Sequence, residues 1–299
     1  MHKVALIGLG GWGQRLLEKL DNKVEVIMGC NRNDLSARKW VEDHYPGIIC
    51  TFEYSDVLDS PEVDAVIIAS SINSHSSLAK QAMNAGKHVF VEKPLAANSV
   101  DSAEMLTLAR KTDRVLFPGH TFLYHPVFKR LLEELQDDRA VRVSTFWAKL
   151  GTFGSDIVWN LGIHDISLAL KIFDSNTVES ASMKLFGVEA GRTDMAVVNL
   201  EFTEGRICQI NINRLSTIKG KELTVSTASG RVLIWRDNLL FEKVDDSVVQ
   251  IFKAEQHALD IEIIEFVKHL DSDVRSYSEA EHALSAVKVV ESLQSKIDQ

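Results

Sequence analysis

The chain has 299 residues, of which 45% are hydrophobic and 25% charged, and its formal net charge at pH 7 is −9. This composition excludes disorder, collagen-like repeats and coiled coil as descriptions of the whole chain. The acidic balance, without a basic stripe, disfavours nucleic acids and anionic membranes as partners. Three widely spaced cysteines form no disulfide framework and no zinc pattern, so we expect a reducing compartment and no metal site. No apolar stretch reaches the roughly 18 residues that span a bilayer, and we expect a soluble, cytoplasmic protein.

The first 120 residues alternate short apolar runs with helical patterns. The predicted strands are Val4–Ile7, Val24–Met28, Ala65–Ala69, Val89–Val91 and Val115–Phe117, and the predicted helices are Gly13–Leu20, Leu35–His44, Ser77–Ala85 and Ala103–Lys111. Nearly continuous apolar strands are typical of a sheet covered by helices on both faces. The alternation predicts parallel strands with right-handed crossovers, a doubly wound α/β domain over residues 1–122.

After about residue 122, predicted strands follow one another directly. They are Val141–Ala148, Ser180–Phe186, Ala196–Phe202, Ile207–Asn213, Leu223–Ser226, Val232–Trp235 and Leu239–Glu242, with helices at Val127–Leu135, Val158–Ile172, His257–Leu270 and Glu279–Ile297. The turn Thr203–Gly205 predicts a hairpin. We therefore predict an α+β domain over residues 123–299 with an open, mostly antiparallel sheet, whose last helix packs back toward the first domain. Ligands commonly bind in the cleft between two such domains.

A glycine-rich turn follows the first predicted strand and opens the first predicted helix. Gly8, Gly10 and Gly13 match the spacing G-x-G-x-x-G, with Gly11 and Trp12 between them. Gly8 allows a tight turn, Gly10 lets the backbone approach a pyrophosphate, and Gly13 permits close packing of helix on strand. The phosphates would bind at the helix N-terminus, where free N–H groups and the helix dipole favour an anion. The motif predicts dinucleotide binding.

The end of the second predicted strand bears on the choice between NAD(H) and NADP(H). An acidic residue is expected there to bind the ribose 2′-hydroxyl, but this strand ends in Asn31 and Arg32. An acid would repel a 2′-phosphate, whereas an asparagine and an arginine accept it. We therefore lean toward NADP(H), although a solvated arginine on a loop would give the same sequence.

Two further groups of polar residues are candidates for catalysis. Glu92, Lys93 and Pro94 follow the strand Val89–Val91, at the sheet edge where open α/β sheets bind ligands. Lys93 would lie near the reacting carbon, and a lysine in a surface turn is the alternative.

Asn160 and His164 are four residues apart on a predicted helix and so share one face. An imidazole exchanges protons near neutral pH, whereas an asparagine only orients a hydroxyl; a solvated polar face is the alternative. His75 and His120 also lie at predicted strand ends.

Taken in order, these motifs resemble the Gfo/Idh/MocA oxidoreductase family over nearly the whole chain. The resemblance rests on Gly8–Gly13, on Asn73 with His75, on the run from Ala85 to Leu95 that contains Glu92-Lys93-Pro94, and on the helix with His164. It implies a Rossmann domain followed by an open-faced α/β domain, with NAD(P) as cofactor and a sugar, cyclitol or nucleotide-linked sugar as substrate. The implied cofactor contacts include Ser70, Asn73, His75, Glu92, Lys93 and Pro94, and Trp12 would pack beside the diphosphate.

Some details are similar to the branch of this family found in nucleotide-sugar and surface-polysaccharide biosynthesis. They are the Trp-containing glycine loop, the linker Gly119–Tyr124 and the segment Asp156–Ile166. The linker supplies His120 and Tyr124 as candidate substrate contacts. Many members of the family have an aspartate where this chain has Asn160, which leaves His164 as the main acid/base. Ser70-Ser71 replaces a more common Thr-Pro.

The resemblance implies transfer of a hydride between a secondary alcohol and C4 of the nicotinamide. His164 would take the hydroxyl proton, Lys93 would stabilise charge on the oxygen, and Asn160 would orient the hydroxyl. Two alternatives remain open: a free-sugar or inositol dehydrogenase of the same fold, and a cofactor-binding regulator without turnover.

An appended sheet with one uncovered face also predicts a homo-oligomer, a dimer or a tetramer.

Overall fold

The structure is a computed structural model that describes residues 1–32, 34–151, 156–188 and 192–295. The chain divides into two compact units, the first comprising Met1–His120 and Leu259–Val287, and the second comprising Thr121–Ala258 and Lys288–Gln299. The sequence pattern assigned 123–299 to one domain, whereas Leu259–Val287 belongs to the first unit. Ile297, the predicted end of the last helix, lies outside the described residues.

The first unit is built on six strands that alternate with helices along the chain. The strands are β1 Lys3–Ile7, β2 Glu25–Cys30, β3 Ile49–Thr51, β4 Ala65–Ile68, β5 His88–Glu92 and β6 Leu116–Gly119; the helices are α1 Gly11–Leu20, α2 Leu35–His44, α3 Tyr54–Asp59, α4 Ile72–Asn84 and α5 Ser99–Thr112. All six strands pair in parallel, in the order β3-β2-β1-β4-β5-β6. This order confirms the predicted doubly wound α/β sheet.

Two short elements of this unit are missing from the sequence prediction. β3 has only three residues, none of which is fully buried, and α3 has six residues, of which Val57 alone is buried. The central strand β4, by contrast, is buried at all four positions. Hydrophobic patterning detects elements through the surface that they bury, so it finds β4 and misses β3 and α3.

The second unit contains one large sheet. Its strands are β7 Ala140–Ala148, β8 Ser180–Phe186, β9 Met195–Phe202, β10 Arg206–Asn213, β11 Gly220–Thr227, β12 Val232–Arg236, β13 Leu239–Val244 and β14 Ser247–Lys253. The strand order is β14-β13-β12-β11-β7-β10-β9-β8, and only the β7–β10 pair is parallel. The predicted open, mostly antiparallel sheet is therefore confirmed. β14 escaped prediction because it is largely exposed and shows no alternation of burial.

One face of this sheet is buried and the other is open. In β9, Ala196, Val198, Leu200 and Phe202 are buried, whereas Asn199 and Glu201 are exposed. The helices of this unit are α6 Pro126–Glu134 and α7 Ile163–Ile172. The helix predicted over Val158–Ile172 begins as one wide turn of π-helix, Val158–Gly162, and continues as α7. Single π-helical turns of this kind are frequent at functional sites.

The last two helices are α8 Ala258–Asp271 and α9 Ser278–Gln294. α8 joins the first unit through Phe266, whose ring centroid lies 5.5 Å from that of Phe90 and 5.7 Å from that of Phe117. All three rings are at most 1% exposed. This aromatic cluster is the physical reason that α8 belongs with the parallel sheet, although its sequence follows the antiparallel one.

Candidate active site

The glycine turn between β1 and α1 is sterically closed at two positions. Gly8 has φ +97°, and a Cβ there would lie 2.7 Å from the carbonyl oxygen of Ala69. A Cβ on Gly13 would collide with the carbonyl oxygen of Gly8. Both positions therefore require glycine, for the reasons that the motif predicts.

The remaining glycines expose the start of α1. Gly10 and Gly11 are exposed, and a Cβ on either would meet no atom within 4 Å. No side chain caps the helix, and its first turn contains no acidic residue. The N–H groups of the first turn are thus presented without a competing carboxylate, which fits a pyrophosphate group.

At the end of β2, the polar residues lie near the start of α2. The Asn31 side-chain amide donates to the carbonyl oxygen of Asp34 at 3.1 Å, and Arg32 is exposed. Asp34 caps α2, because its carboxylate accepts hydrogen bonds from the N–H groups of Ser36 and Ala37. The Asp34 carboxylate is therefore engaged by the helix, while Arg32 remains exposed.

His75 occupies a different place from the cofactor contact that was expected of it. Its side chain is only 1% exposed, and its Nδ1 lies 2.8 Å from the carbonyl oxygen of Pro94. Nε2 lies 3.2 Å from the carbonyl oxygen of Ser70. Burial lowers the pKa of His75, and a neutral imidazole has one N–H, so it can donate to one of these two carbonyls. His75 thus contacts both the loop after β4 and the loop after β5. Of the other expected cofactor contacts, Ser70 is half-buried and Asn73 is exposed on α4.

Glu92, at the end of β5, is linked to the glycine turn. The side chain of Trp12 interacts with its carboxylate, and the backbone N–H of Lys93 donates to Oε2 at 3.3 Å. Burial raises the pKa of Glu92 to about 7, and the interactions with Trp12 and with the charge of Lys93 oppose this rise. Trp12 itself is 39% exposed. The Lys93–Pro94 peptide is cis, Pro94 is buried, and the Lys93 side chain is half-buried.

His120 is buried at the end of β6. It is only 3% exposed, and neither ring nitrogen has a hydrogen-bond partner among the described residues. Burial, with the charges of His282 and Lys93, lowers its pKa to about 3. Such an imidazole is unprotonated at neutral pH and is shielded from ligands in this structure. The prediction that His120 contacts substrate therefore finds no support in its position.

The second unit contains the other predicted catalytic residues. Asn160 lies in the π-helical turn, and His164 follows in the first turn of α7; both are half-buried. The His164 ring packs edge-on against Phe122, with centroids 5.0 Å apart, and lies 5.5 Å from Trp147. Tyr124 is buried in the short 3₁₀ turn Thr121–Tyr124.

Sequence reasoning missed a charged pair beside His164. Asp165 is fully buried, and its Oδ1 lies 3.1 Å from the Nζ of Lys221. The signal was present in β11, where Lys221 is in phase with the buried residues Leu223 and Val225. A lysine at an inward position of an alternating strand predicts a buried cation that needs a partner.

Comparison with known proteins identifies the class that this fold defines. Residues 2–120 match the NAD-binding Rossmann model of the Gfo/Idh/MocA oxidoreductases, and residues 135–233 match the model of their C-terminal domain. The chain belongs to the Gfo/Idh/MocA family and is an NAD(P)-dependent oxidoreductase.

Individual relatives are distant and act on different substrates. The myo-inositol 2-dehydrogenase of Thermotoga maritima is 26% identical over 79% of this chain and 75% of its own length. The UDP-N-acetylglucosamine 3-dehydrogenase of Acidithiobacillus ferrooxidans has a TM-score of 0.87 with 19% identity and covers 99% of both chains. A protein of gentamicin A biosynthesis, solved in complex with NAD, has a TM-score of 0.85 with 19% identity over 100% of this chain and 94% of its own.

The described part of the chain has two further properties. None of its helices is both long enough and apolar enough to cross a bilayer. Across the same residues, no group of three or more histidine, cysteine, aspartate or glutamate side chains is arranged to hold a metal ion.

The buried carboxyl of Glu92 predicts a specific pH dependence of stability. Its pKa rises from 4.5 to about 7 on folding, so between these values the unfolded chain loses this proton first. Folding stability therefore falls as pH rises through this window. We expect Glu92→Gln to match the wild type near pH 4.5 and to be more stable by about 1–3 kcal/mol near pH 8. Thermal unfolding across this pH range measures the difference, with exposed Glu18→Gln as the control. Parallel pH curves for wild type and Glu92→Gln would contradict the assignment.

Proposed function

We propose that this oxidoreductase interconverts a secondary alcohol and a ketone on a sugar, preferentially a nucleotide-linked sugar. The observation that carries the proposal is that one chain contains both an uncapped glycine-turn helix in a Rossmann unit and a half-buried His164 on α7. The likeness in fold to a UDP-N-acetylglucosamine 3-dehydrogenase supports the nucleotide-linked class. The similarity to a myo-inositol 2-dehydrogenase favours a second candidate, a free cyclitol or sugar.

The cofactor supplies the hydride chemistry, and the chain supplies binding, orientation and proton transfer. The first-turn N–H groups of α1 would hold the pyrophosphate, with Ser70, Asn73 and Lys93 as further contacts of the bound dinucleotide. His164 takes the proton of the substrate hydroxyl, because imidazole is the side chain best suited to proton exchange near neutral pH. Asn160 orients this hydroxyl, and the ammonium of Lys93 stabilises negative charge that develops on the oxygen.

A screen of substrates tests the proposal directly. Purified protein is incubated with nucleotide sugars, free sugars and inositols, each with NAD⁺ and NADP⁺, and the absorbance of the reduced cofactor is followed at about 340 nm. Turnover of nucleotide-linked sugars supports the first candidate, and turnover of free cyclitols alone supports the second. Reduction of neither cofactor by any substrate in the panel would count against both.

The catalytic assignment predicts the effects of Lys93→Met and His164→Ala on a confirmed substrate. We expect kcat to fall about 10²- to 10⁴-fold for His164→Ala and about 10²- to 10³-fold for Lys93→Met. The double variant should lose less than the product of the two, because both groups serve one transition state. Asn160→Asp should keep substantial activity, since a carboxylate also orients a hydroxyl.

Cofactor affinity, measured by calorimetry, should change little in His164→Ala and Asn160→Asp, because neither residue is a proposed contact of the dinucleotide. His44→Ala, an exposed histidine on α2, is the matched control and should keep full activity. Near-wild-type kcat for His164→Ala at neutral pH would place the base elsewhere.

We further propose that NADP(H) binds at least as tightly as NAD(H). Exposed Arg32 and half-buried Asn31 support this preference, as does the engagement of the Asp34 carboxylate by α2. Arg32→Ala should weaken NADP(H) about 10- to 100-fold, because a charge-assisted bond to the 2′-phosphate is lost, and should leave NAD(H) binding unchanged. Calorimetric titration of both cofactors decides the point, with exposed Lys39→Ala as an equal charge change on α2. A preference for NAD(H) that Arg32→Ala does not alter would refute the proposal.

We also propose that the open face of the large sheet joins two or four copies of this chain. Phe146 and Ile207 are 48% and 38% exposed there, and Ile207 lies between Arg142 on β7 and Glu201 on β9. In a twofold dimer the apolar centres of two such faces can meet, and the positive side chain of each copy can face the negative side chain of the other.

Light scattering at micromolar protein should therefore give a dimer or a tetramer. Phe146→Asp should shift the assembly equilibrium toward the monomer, because a carboxylate would be buried in the interface. Val274→Asp, at a residue 79% exposed in the first unit, should leave the assembly intact. A wild-type protein that is monomeric throughout would exclude this interface.

A further inference from the structure

The second unit buries a lysine that the proposed reaction does not use. Lys221 projects from β11 on the side of the sheet that also carries Leu223 and Val225, and only 15% of its side chain is exposed. Its cross-strand neighbour on β7 is Trp147. Burying an ammonium group is costly unless its charge is compensated, so the contacts of this group indicate what it does.

Among the described residues, the Lys221 ammonium contacts groups of the second unit itself. Nζ lies 3.1 Å from Asp165 Oδ1, 3.5 Å from the ring centroid of Phe122 and 3.9 Å from that of Trp147. Asp165 Oδ2 accepts a hydrogen bond from the Thr145 hydroxyl at 3.2 Å. The cation is therefore directed at one carboxylate and two aromatic faces, which is the arrangement of a strong, desolvated cation–π contact.

The same two aromatic rings contact His164. The His164 ring meets Phe122 at an interplanar angle of 90° and Trp147 at 47°. Asp165, the ionic partner of Lys221, is the residue next to His164 on α7. Lys221 is thus connected to His164 by two ring contacts and by one step along the backbone.

We infer that Lys221 is a positioning residue that holds the imidazole of His164 in its reactive orientation through Phe122 and Trp147. The inference rests on the proposed role of His164 as the acid/base. Phe122 lies in the short turn Thr121–Tyr124, and its ring meets that of Trp147 edge-on, with centroids 5.6 Å apart. The ammonium fixes Phe122 against Trp147, and the two rings then restrict the rotation of His164. Such restriction is how a group that never touches substrate affects turnover.

Three variants separate this role from a purely structural one. Lys221→Met keeps the length of the side chain but removes its charge, and it leaves the Asp165 charge buried and unpaired, which destabilises the fold. The double variant Lys221→Met/Asp165→Asn removes both charges and should regain most of the lost melting temperature. Lys221→Arg keeps a cation that binds aromatic faces and carboxylates.

We expect kcat of Lys221→Met to fall at least about tenfold, with KM and cofactor affinity nearly unchanged. The double variant should stay low in kcat although its melting temperature recovers, and Lys221→Arg should restore most of the activity. Asp165→Asn alone, which keeps the cation between the rings, should retain a higher kcat than Lys221→Met. The inference would be overturned if kcat recovered together with the melting temperature in the double variant. It would also be overturned if Asp165→Asn and Lys221→Met lost equal amounts of kcat.

A measurement without substrate separates failure of this inference from failure of the proposed function. In protein labelled with ¹³C at histidine Cε1, the His164 resonance is assigned by its loss in His164→Ala, and ring currents from Phe122 and Trp147 shift it. Lys221→Met, alone and with Asp165→Asn, should move this resonance toward the value of an unstructured histidine, and Lys221→Arg should not. An unchanged resonance in Lys221→Met would overturn the positioning role. If the resonance moves but His164→Ala keeps full kcat, the acid/base assignment fails, and the catalytic meaning of Lys221 fails with it.

Discussion

The turn from β1 to α1 leaves no room for a side chain at Gly8 or at Gly13. Because the carbonyl of Gly8 lies against the α-carbon of Gly13, α1 begins directly at the carboxyl edge of the parallel sheet. The close approach of Gly8 to Ala69 ties the same turn to the loop after β4. This steric constraint sets the position of the uncapped first turn of α1, and the remaining polar groups at this sheet edge are arranged around it.

Two buried groups then fix the neighbouring loops. The His75 ring lies between the carbonyl oxygens of Ser70 and Pro94, and the buried carboxylate of Glu92 interacts with the side chain of Trp12 in the glycine turn. These side chains occupy motif positions, yet they act on backbone and side-chain groups of the protein itself. A motif residue can thus be required for a site without touching its ligand, because the loops that bind the ligand need a rigid support.

In the second unit, a buried ion pair lies beside His164 at the start of α7. Asp165 and Lys221 form an ion pair, and the rings of Phe122 and Trp147 contact both the Lys221 ammonium and the imidazole of His164. The π-helical turn before α7 changes the local spacing of the helix, so the four-residue separation of Asn160 and His164 does not by itself place them on one α-helical face. The orientation of His164 is therefore decided by packing against strands that are distant in sequence.

The sequence by itself determined the parallel sheet, the glycine turn, the hairpin at Thr203–Gly205 and the buried face of β9, because each depends on local periodicity or on backbone conformations that glycine permits. Only the tertiary structure decided that α8 joins the first unit, since that depends on Phe266 meeting Phe90 and Phe117, which are remote in the chain. It also decided that His75 and His120 are buried and that Lys221 pairs with Asp165. The burial of a polar side chain depends on what packs over it from elsewhere, and local sequence does not contain that information.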